Sequence, residues 1–253
     1  MAVTAQQVKE LRQSTGAGLM ACKKALEETN GDMEAAVEVL RKKGAAKAAS
    51  KSDRSTNEGS IAISGRAIAK ILCETDFVGK NEQFVAFVKE IADKANTDGV
   101  EAAKDLFESL KTDKIQALGE NLVLDTVEVV EGGDTVGSYV HGNGKVAAIV
   151  ILEGGNEEKA RDVAMHATAM NPAVANPEDV PQEEVDKEMA IAKEELLAAG
   201  KPEQIIDKIL EGKIKKFRAE RALSSQPFVK NPDQTVAEYL GDAKLVKFVR
   251  VFV

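Results

Sequence analysis

Tryptophan is absent from this chain of 253 residues, and tyrosine, cysteine and histidine occur only twice each. Aromatic residues make up 4% of the sequence, so a core has to be built from Val, Ile, Leu and Ala. Cys22 and Cys73 show neither CxxC nor Cys/His spacing, which supports neither a disulfide scaffold nor a zinc site. The longest apolar run, residues 146–152, is far shorter than the roughly 20 residues of a membrane helix. We therefore expect no membrane span. The two cysteines are expected to be free thiols in a reducing compartment.

An excess of positive charge is also missing, since the formal net charge is −8. Proteins that neutralise phosphates carry more Lys and Arg, so nucleic acid is not expected as a direct partner. Residues 1–54 differ, with ten Lys and Arg against seven Asp and Glu. This part could present a basic face to an acidic partner. Residues 1–12 lack a signal-peptide profile, which predicts a cytoplasmic protein.

The signatures of a catalytic or nucleotide-binding site are absent from the sequence. Gly137 and Gly142 have the spacing of P-loop glycines, but Asn143 and Gly144 follow where Lys and Ser/Thr are needed. The two histidines, His141 and His166, lie far apart, and His166 is interpreted as a helix residue with satisfied ring nitrogens. No Ser/His/Asp, Cys/His or HExxH arrangement can be assembled. We expect neither a cofactor, nor a metal, nor side-chain catalysis of covalent chemistry.

The first 54 residues are predicted to form a bundle of three short helices followed by a linker. Thr4 and Gln7 make a capping box, and Asp32 is placed to cap the third helix. Inward-facing positions are Val8, Leu11, Leu19, Cys22, Ala25, Leu26, Met33, Ala36, Val37 and Leu40. Gly44 is expected to end the third helix, and residues 45–58 lack an apolar period, as a linker does.

An internal repeat follows, in which a hairpin and a helix occur twice. The first copy turns at Ser64 and Gly65, and the second at Gly142, Asn143 and Gly144, where Asn-Gly favours positive φ. The first helix is expected to bury Phe84, Val88, Ile91 and Ala95, and the second Ala160, Val163, Ala164 and Ala167. Residues 122–130 and 245–253 are predicted as a third strand for each copy. The core domains are then residues 55–133, and residues 134–180 with 226–253.

Residues 181–225 are predicted to form an antiparallel helical hairpin. Val185, Met189, Ala192 and Leu196 fall on one stripe, residues 200–202 break it, and Ile205, Ile209 and Phe217 begin another. The stripes are narrow, so the hairpin should rest on another surface or on a second chain. Ile206, Leu210 and Ile214 are the expected outer contacts. The predicted fold class is α+β.

Thr75, Asp76, Phe77 and Val78 stand between a predicted strand and helix, where functional residues concentrate. The second copy has plain turn residues at this point. Phe77 and Val78 could fold back on the helix as a hydrophobic staple, or Phe77 could contact a partner.

Several motifs together resemble the bacterial elongation factor Ts family. They are LRQSTGAGLMACKKAL at residues 11–26, TDFV at 75–78, GSYVH at 137–141, AMH at 164–166 and QPFV at 226–229. The resemblance runs in order over nearly the whole chain. It implies a guanine-nucleotide exchange factor for elongation factor Tu, binding its GDP-bound and nucleotide-free forms. It also implies a UBA-like helical module, a duplicated core and a coiled-coil hairpin at residues 181–225 that can form a homodimer.

The resemblance also assigns roles to residues. Thr75, Asp76, Phe77 and Val78 would displace the partner's Mg²⁺, with Phe77 as apolar wedge and Asp76 as polar hook. Residues expected to bind the partner are Lys23, Leu118, Gly119, His141, Val229 and Lys230. The residues themselves also allow a purely structural interpretation. Lys23 can be a solvated helix lysine, and Leu118 and Gly119 a helix end with its glycine cap. The other three can be turn and strand-edge residues.

Two departures from the family pattern are present. Lys70 and Leu72 stand where the family has Glu-x-Asn, and a change in local packing is expected there. A C-terminal helix that touches the GTPase in some members would follow Val253, so that contact is not expected. A non-exchanging UBA-like or ribosome-associated adaptor is the alternative function, and a conventional enzyme is the third.

Overall fold

The computed structural model describes residues 3–253, without the side chains of Lys47 and Glu203. Met1 and Ala2, which begin the predicted helical module, lie outside the described residues. The chain forms two compact units. The first contains the residues up to Val129 together with Phe252 and Val253, and the second is Val130–Val251. The architecture is mixed α and β, with small antiparallel sheets.

The three N-terminal helices are confirmed as α1 (Ala5–Thr15), α2 (Leu19–Glu28) and α3 (Met33–Ala49). The capping box of Thr4 and Gln7 is present, and the Asp32 side chain accepts from the Ala35 N–H. Their common core contains Val8, Leu11, Cys22, Ala25, Leu26, Ala36 and Leu40, with Met33 and Val37 packed against it.

Two expectations for this module are wrong. Leu19 is 53% exposed, because it lies at the first turn of α2, outside the apolar seam. α3 does not end at Gly44 but continues to Ala49, so the first residues of the predicted linker are helical. Gly44 lies inside α3 and is buried, and the atoms nearest to it from another element belong to the side chains of Gln116 and Thr112 on α6.

The rest of the first unit is β1 (Glu58–Ser64), β2 (Ala67–Cys73), α4 (Asp76–Gly79), α5 (Glu82–Asp98), α6 (Val100–Leu118) and β3 (Val123–Val129). The strands form one antiparallel sheet in the order β1-β2-β3. The predicted inward face of α5 is confirmed, since Phe84, Val88, Ile91 and Ala95 are buried. The sequence patterns above include α6 only at its end, as the interpretation of Leu118 and Gly119 as a glycine-capped helix end. Phe107 on α6 stacks on Phe87 with ring centroids 5.8 Å apart.

The second unit repeats this element order with β4 (Thr135–Val140), β5 (Val146–Glu153) and α7 (Glu157–Met170). After the helical hairpin come β6 (Pro227–Phe228), β7 (Asn231–Thr235), α10 (Val236–Leu240) and β8 (Lys244–Phe252). β8 joins β4 and β5 in a three-stranded sheet, as predicted for the third strand. The four predicted inward alanine and valine positions of α7 are buried. α10 and the small β6-β7 pair were not indicated by the sequence patterns.

The turn between β4 and β5 differs from expectation. Asn143 does not take positive φ, and its side chain accepts instead from the Lys145 N–H at 3.0 Å, so the turn at 141–145 is not an Asn-Gly turn of the expected kind.

Lys70, which departs from the family pattern, lies on β2 and pairs with Asp125 of β3 at 2.7 Å. The Lys70 ammonium lowers the pKa of the Asp125 carboxyl by hydrogen bonding.

The helical hairpin consists of α8 (Gln182–Ala198) and α9 (Glu203–Arg221). Arg221 near the end of α9 pairs with Glu184 near the start of α8, so the two helices run antiparallel as predicted. The expected outer contacts are wrong for Ile206 and Leu210, which are buried against Ala192 and Leu196. The exposed large apolar residues of the hairpin are instead Ile191, Leu197 and Ile205.

Candidate functional site

Residues 75–78, called the Phe77 turn below, are the N-cap Thr75 and the first three residues of α4 (Asp76–Gly79), a single helical turn between β2 and α5. Thr75 is its N-cap, and the Thr75 hydroxyl accepts from the Val78 N–H at 3.4 Å. Val78 packs against the core of the first unit. Phe77 is 83% exposed, although burial of a phenyl ring stabilises a fold by roughly 1.5–3 kcal/mol. The staple interpretation therefore fits Val78 only, and Phe77 projects into solvent.

The Phe77 turn is attached to the segment that follows α6, residues 119–121. The Glu120 carboxylate accepts from the Thr75 hydroxyl at 2.6 Å and from the Thr75 N–H at 3.0 Å. It also accepts from the Glu74 N–H at 2.9 Å. In return, the Asn121 N–H donates to the Glu74 carboxylate at 2.7 Å. Two short segments, 45 residues apart in sequence, thus hold each other by reciprocal hydrogen bonds.

The same segment holds the chain that leaves the helical module. The Lys51 ammonium, on a side chain that is almost fully buried, donates to the Gly119 carbonyl. This carbonyl lies at the C-terminal end of α6, where the helix dipole favours a cation. The buried Asn121 amide donates to the carbonyls of Ser52 and Arg54 at 3.2 and 3.0 Å. Residues 51–54, the segment 119–121 and the Phe77 turn therefore form one polar network.

The polar face of the Phe77 turn carries an exposed ion pair. The Lys80 ammonium lies 2.7 Å from the Asp76 carboxylate one turn earlier. The hydrogen bond that Lys80 donates to the Asp76 carboxylate raises the pKa of Lys80. Both side chains are exposed, so the pair contributes little stability.

Three further residues singled out in the sequence lie in the first unit. Lys23 is exposed on α2 and pairs with Glu27 at 3.8 Å, beside the exposed side chains of Leu19 and Met20. Leu118 packs against the core at the end of α6. Gly119 is the C-cap of α6 with φ of 82°, as the interpretation of a glycine-capped helix end requires. Leu118 and Gly119 adjoin Glu120, so the structure brings them next to the Phe77 turn.

His141, Val229 and Lys230 lie in the second unit and line neighbouring cavities. One cavity of about 390 Å³ is lined by Tyr139, His141, Val146, Met165, Thr168, Ala169 and Val229. A second one of about 510 Å³ shares Tyr139 and Met165 with it and includes Lys230. The apolar pattern did not indicate that His141 on the β4-β5 turn and Val229 between β6 and β7 are neighbours, although the resemblance assigned both to partner binding.

Lys230 is fixed by Asp162 of α7, whose carboxylate lies 2.5 Å from the ammonium. Asp162 also accepts from the Tyr239 hydroxyl at 2.8 Å. Burial and the Asp162 carboxylate raise the pKa of Tyr239 to about 12, so the phenol stays a neutral donor. Tyr239 in turn stacks on Phe228 with centroids 4.2 Å apart.

His166 is fully buried on α7 and connects this helix to residues 226–229. The Val229 N–H donates to His166 Nδ1 at 3.1 Å, so Nδ1 is the unprotonated nitrogen. His166 Nε2 then carries the proton and lies 3.0 Å from Gln226 Oε1. Both ring nitrogens are satisfied, as predicted from the sequence. His166 is therefore a structural residue that places Val229 at the cavity.

We expect the second unit to lose stability as pH falls below about 6.5, the ordinary pKa of histidine. Burial lowers the pKa of His166 in the folded state, so the unfolded chain binds the proton first and protonation favours unfolding. Protonated Nδ1 also cannot accept from Val229. Both tyrosines lie in this unit, so urea titrations followed by tyrosine fluorescence report on it. The difference between the parent chain and His166→Gln should shrink as pH falls, and parallel curves would contradict the prediction.

Known proteins resemble this chain over its length. The sequence profile of the family Elongation factor TS matches residues 74–253. An elongation factor Ts of Saccharophagus degradans is 44% identical over 99% of this chain and 91% of its own length. One from Teredinibacter turnerae is 45% identical over 99% of this chain and 90% of its own length. The chain belongs to the elongation factor Ts family. The family profile begins at Glu74, directly before the Phe77 turn, and the relatives also cover the helical module.

Within residues 3–253, no group of three or more His, Cys, Asp or Glu side chains is arranged to hold a metal ion. No helix in the described part of the chain is long and apolar enough to cross a membrane.

The sequence patterns above do not single out Glu120 and Asn121, the residues that hold the Phe77 turn. Both residues follow a predicted glycine cap. A carboxylate and an amide side chain directly after a helix end are the only features of the sequence that could have indicated this role. Their partners Glu74 and Thr75 cannot be identified from spacing, because the two segments meet only after α5 and α6 have packed.

Proposed function

We propose that the Phe77 turn is the element with which this chain, a guanine-nucleotide exchange factor for elongation factor Tu, disturbs the Mg²⁺ and phosphate site of the GTPase. The observation that carries the proposal is the exposure of Phe77 on an anchored turn. An exposed aromatic side chain on a fixed backbone binds a partner with little loss of conformational freedom. The proposal assigns no covalent step to this chain.

The physical basis of exchange is the charge of the bound metal. Mg²⁺ neutralises the phosphates of GDP and is often the largest local charge in such a site. Phe77 inserted beside this site would displace the metal, and the exposed Asp76 carboxylate would replace its Lys80 pair by contacts to the GTPase. Loss of Mg²⁺ weakens GDP binding. By linkage, GDP and the exchange factor then lower each other's affinity for the GTPase by the same factor.

The helical module is proposed to contact the nucleotide-binding domain of the GTPase. Lys23, Leu19 and Met20 together form an exposed surface on α2 with a cation beside apolar side chains. We propose a UBA-like role for these three helices in protein binding. Leu118 and Gly119 would support the same interface, because they adjoin the residue that holds the Phe77 turn.

The second unit is proposed to contact another domain of the GTPase through His141, Val229 and Lys230. His141 and Val229 line a cavity that could accept an apolar side chain of the partner. Lys230 adds a cation beside it, held by Asp162. No direct nucleic-acid or membrane partner is proposed, and the place of action is the cytoplasm, where translation proceeds.

The test of the proposed function is release of fluorescently labelled GDP from elongation factor Tu, with an excess of unlabelled GDP as a trap. Addition of this chain should accelerate release, and added Mg²⁺ should oppose the effect. Binding to the GTPase without faster release would instead support the adaptor function.

We expect the helical hairpin to act as a coiled coil that joins two copies of the chain. Ile191 and Ile205 lie exposed on it, and each could contribute roughly 1.5–3 kcal/mol when buried in a second chain. Ile191→Glu with Ile205→Glu should dissociate the homodimer in light scattering and leave GDP release unchanged. Ala190→Glu, at an exposed position of α8 next to Ile191, is the matched control. A monomeric parent chain would contradict the prediction, and slower GDP release would show that the hairpin contacts the GTPase.

A further inference from the structure

The Phe77 turn needs an external anchor to keep its shape. α4 is only four residues long, and a helix of one turn is unstable on its own because nucleation is unfavourable. Phe77 contributes little to packing, since most of its surface faces solvent. Val78 is only partly buried, although it packs against the core. Apolar contacts on one side of the turn do not fix the direction in which Phe77 points.

Glu120 supplies this anchor at the start of the turn. Its Oε1 accepts from the Thr75 hydroxyl, while Oε2 accepts from two successive N–H groups, those of Glu74 and Thr75. Both oxygens are thus engaged within 3.0 Å. Hydrogen bonds to an ionised group are the stronger ones, and the three that this one carboxylate accepts fix both the backbone and the capping side chain.

Glu120 is itself fixed in place from both sides. Gly119 turns the chain in the left-handed region, and its carbonyl accepts from Lys51. Asn121 is 3% exposed and binds Glu74, Ser52 and Arg54 through its backbone and amide groups. Because its neighbours on both sides are fixed, the Glu120 side chain can restrict the movement of the Phe77 turn.

We propose that Glu120 is a positioning residue for nucleotide exchange, which holds Thr75 so that Phe77 stays aimed at the GTPase. This inference rests on the proposed role of Phe77. Glu120 acts through Thr75, and its effect should be on the rate of exchange at saturating factor more than on the affinity for the GTPase.

Three variants separate positioning from general stability. Glu120→Ala removes all three acceptors. Glu120→Gln keeps one carbonyl oxygen for the two N–H groups and places an amide beside the Thr75 hydroxyl, which can accept from it. Glu101→Ala is the matched control, because Glu101 is a glutamate on α6 with an 83% exposed side chain and only a surface pair to Lys104.

The first measurement follows the turn without any GTPase. Because the chain lacks tryptophan, Phe77→Trp introduces a single tryptophan at the tip of the turn, which can be excited selectively in the presence of the two tyrosines. In this background, Glu120→Ala should increase the fast, local part of the anisotropy decay. In the chain with Phe77 unchanged, it should accelerate hydrogen exchange at Gly79, whose N–H donates to the Thr75 carbonyl at 3.1 Å. Glu101→Ala should change neither.

The second measurement is GDP release from elongation factor Tu, with Phe77 in place. Glu120→Ala should lower the maximal rate about tenfold, as the loss of charge-assisted hydrogen bonds predicts. Glu120→Gln should recover part of this loss, and melting temperatures identify any variant that has unfolded.

The inference is overturned if Glu120→Ala leaves the anisotropy and the hydrogen exchange of the turn unchanged. It is also overturned if the turn loosens while GDP release stays at the parent rate, or if Glu101→Ala slows release equally. Failure of the proposed function gives a different result, in which Phe77→Ala itself leaves GDP release unchanged.

Discussion

Phe77→Ala is expected to slow GDP release from elongation factor Tu by about 30-fold or more, the kinetic equivalent of a binding hot spot of about 2 kcal/mol. The reason is that the phenyl ring is 83% exposed on an anchored turn and is the group proposed to displace Mg²⁺. The free energy of unfolding should change by less than about 0.5 kcal/mol, as for surface substitutions in general. Stopped-flow release of labelled GDP and urea denaturation measure the two quantities.

Phe252→Ala is the matched control for this variant, since Phe252 is a second exposed phenylalanine, outside the turn. It should release GDP at close to the parent rate. Equal losses for both variants would show that exposed apolar surface in general, rather than the Phe77 turn, promotes exchange. A lower melting temperature with unchanged release for Phe77→Ala would restore the staple interpretation and refute the wedge.

Gly137→Ala is expected to destabilise the second unit by about 3 kcal/mol or more, at the upper end of overpacking effects. A Cβ at Gly137 would lie 2.2 Å from backbone atoms of Ala160 and Arg161 on α7. These are main-chain atoms in a helix whose apolar face is buried, so they cannot move aside as a flexible side chain can. The helix also carries His166, so displacement of α7 should disturb Val229 and the neighbouring cavity.

Gly142→Ala provides the control in the same β4-β5 hairpin. A Cβ there would meet no atom within 4 Å, and the residue does not lie at positive φ. Its unfolding midpoint in urea, followed by tyrosine fluorescence, should match that of the parent chain. A Gly137→Ala variant with the parent midpoint would show that α7 moves away from β4 at little cost.

Much of the fold can be predicted from periodicity. The stripes of α1, α5 and α7 and the third strands of both sheets follow from the spacing of apolar residues. Such patterns work because burial repeats with the geometry of a single helix or strand. They fail where burial depends on a neighbouring element. Ile205 and Ile206 are adjacent and chemically identical, yet α8 buries only Ile206.

The candidate site divides in the same way. The sequence by itself determined that residues 75–78 were unusual, that His166 was structural and that the chain resembled one family. Only the tertiary structure decided that Phe77 is exposed, that Glu120 holds Thr75 and that Val229 binds His166. Gly44 likewise is predicted from sequence to end a helix, whereas in the structure it lies inside α3 and faces side chains of α6. The physical reason is that these hydrogen bonds join loops distant in sequence, and their geometry is set by the packing of helices and strands between them.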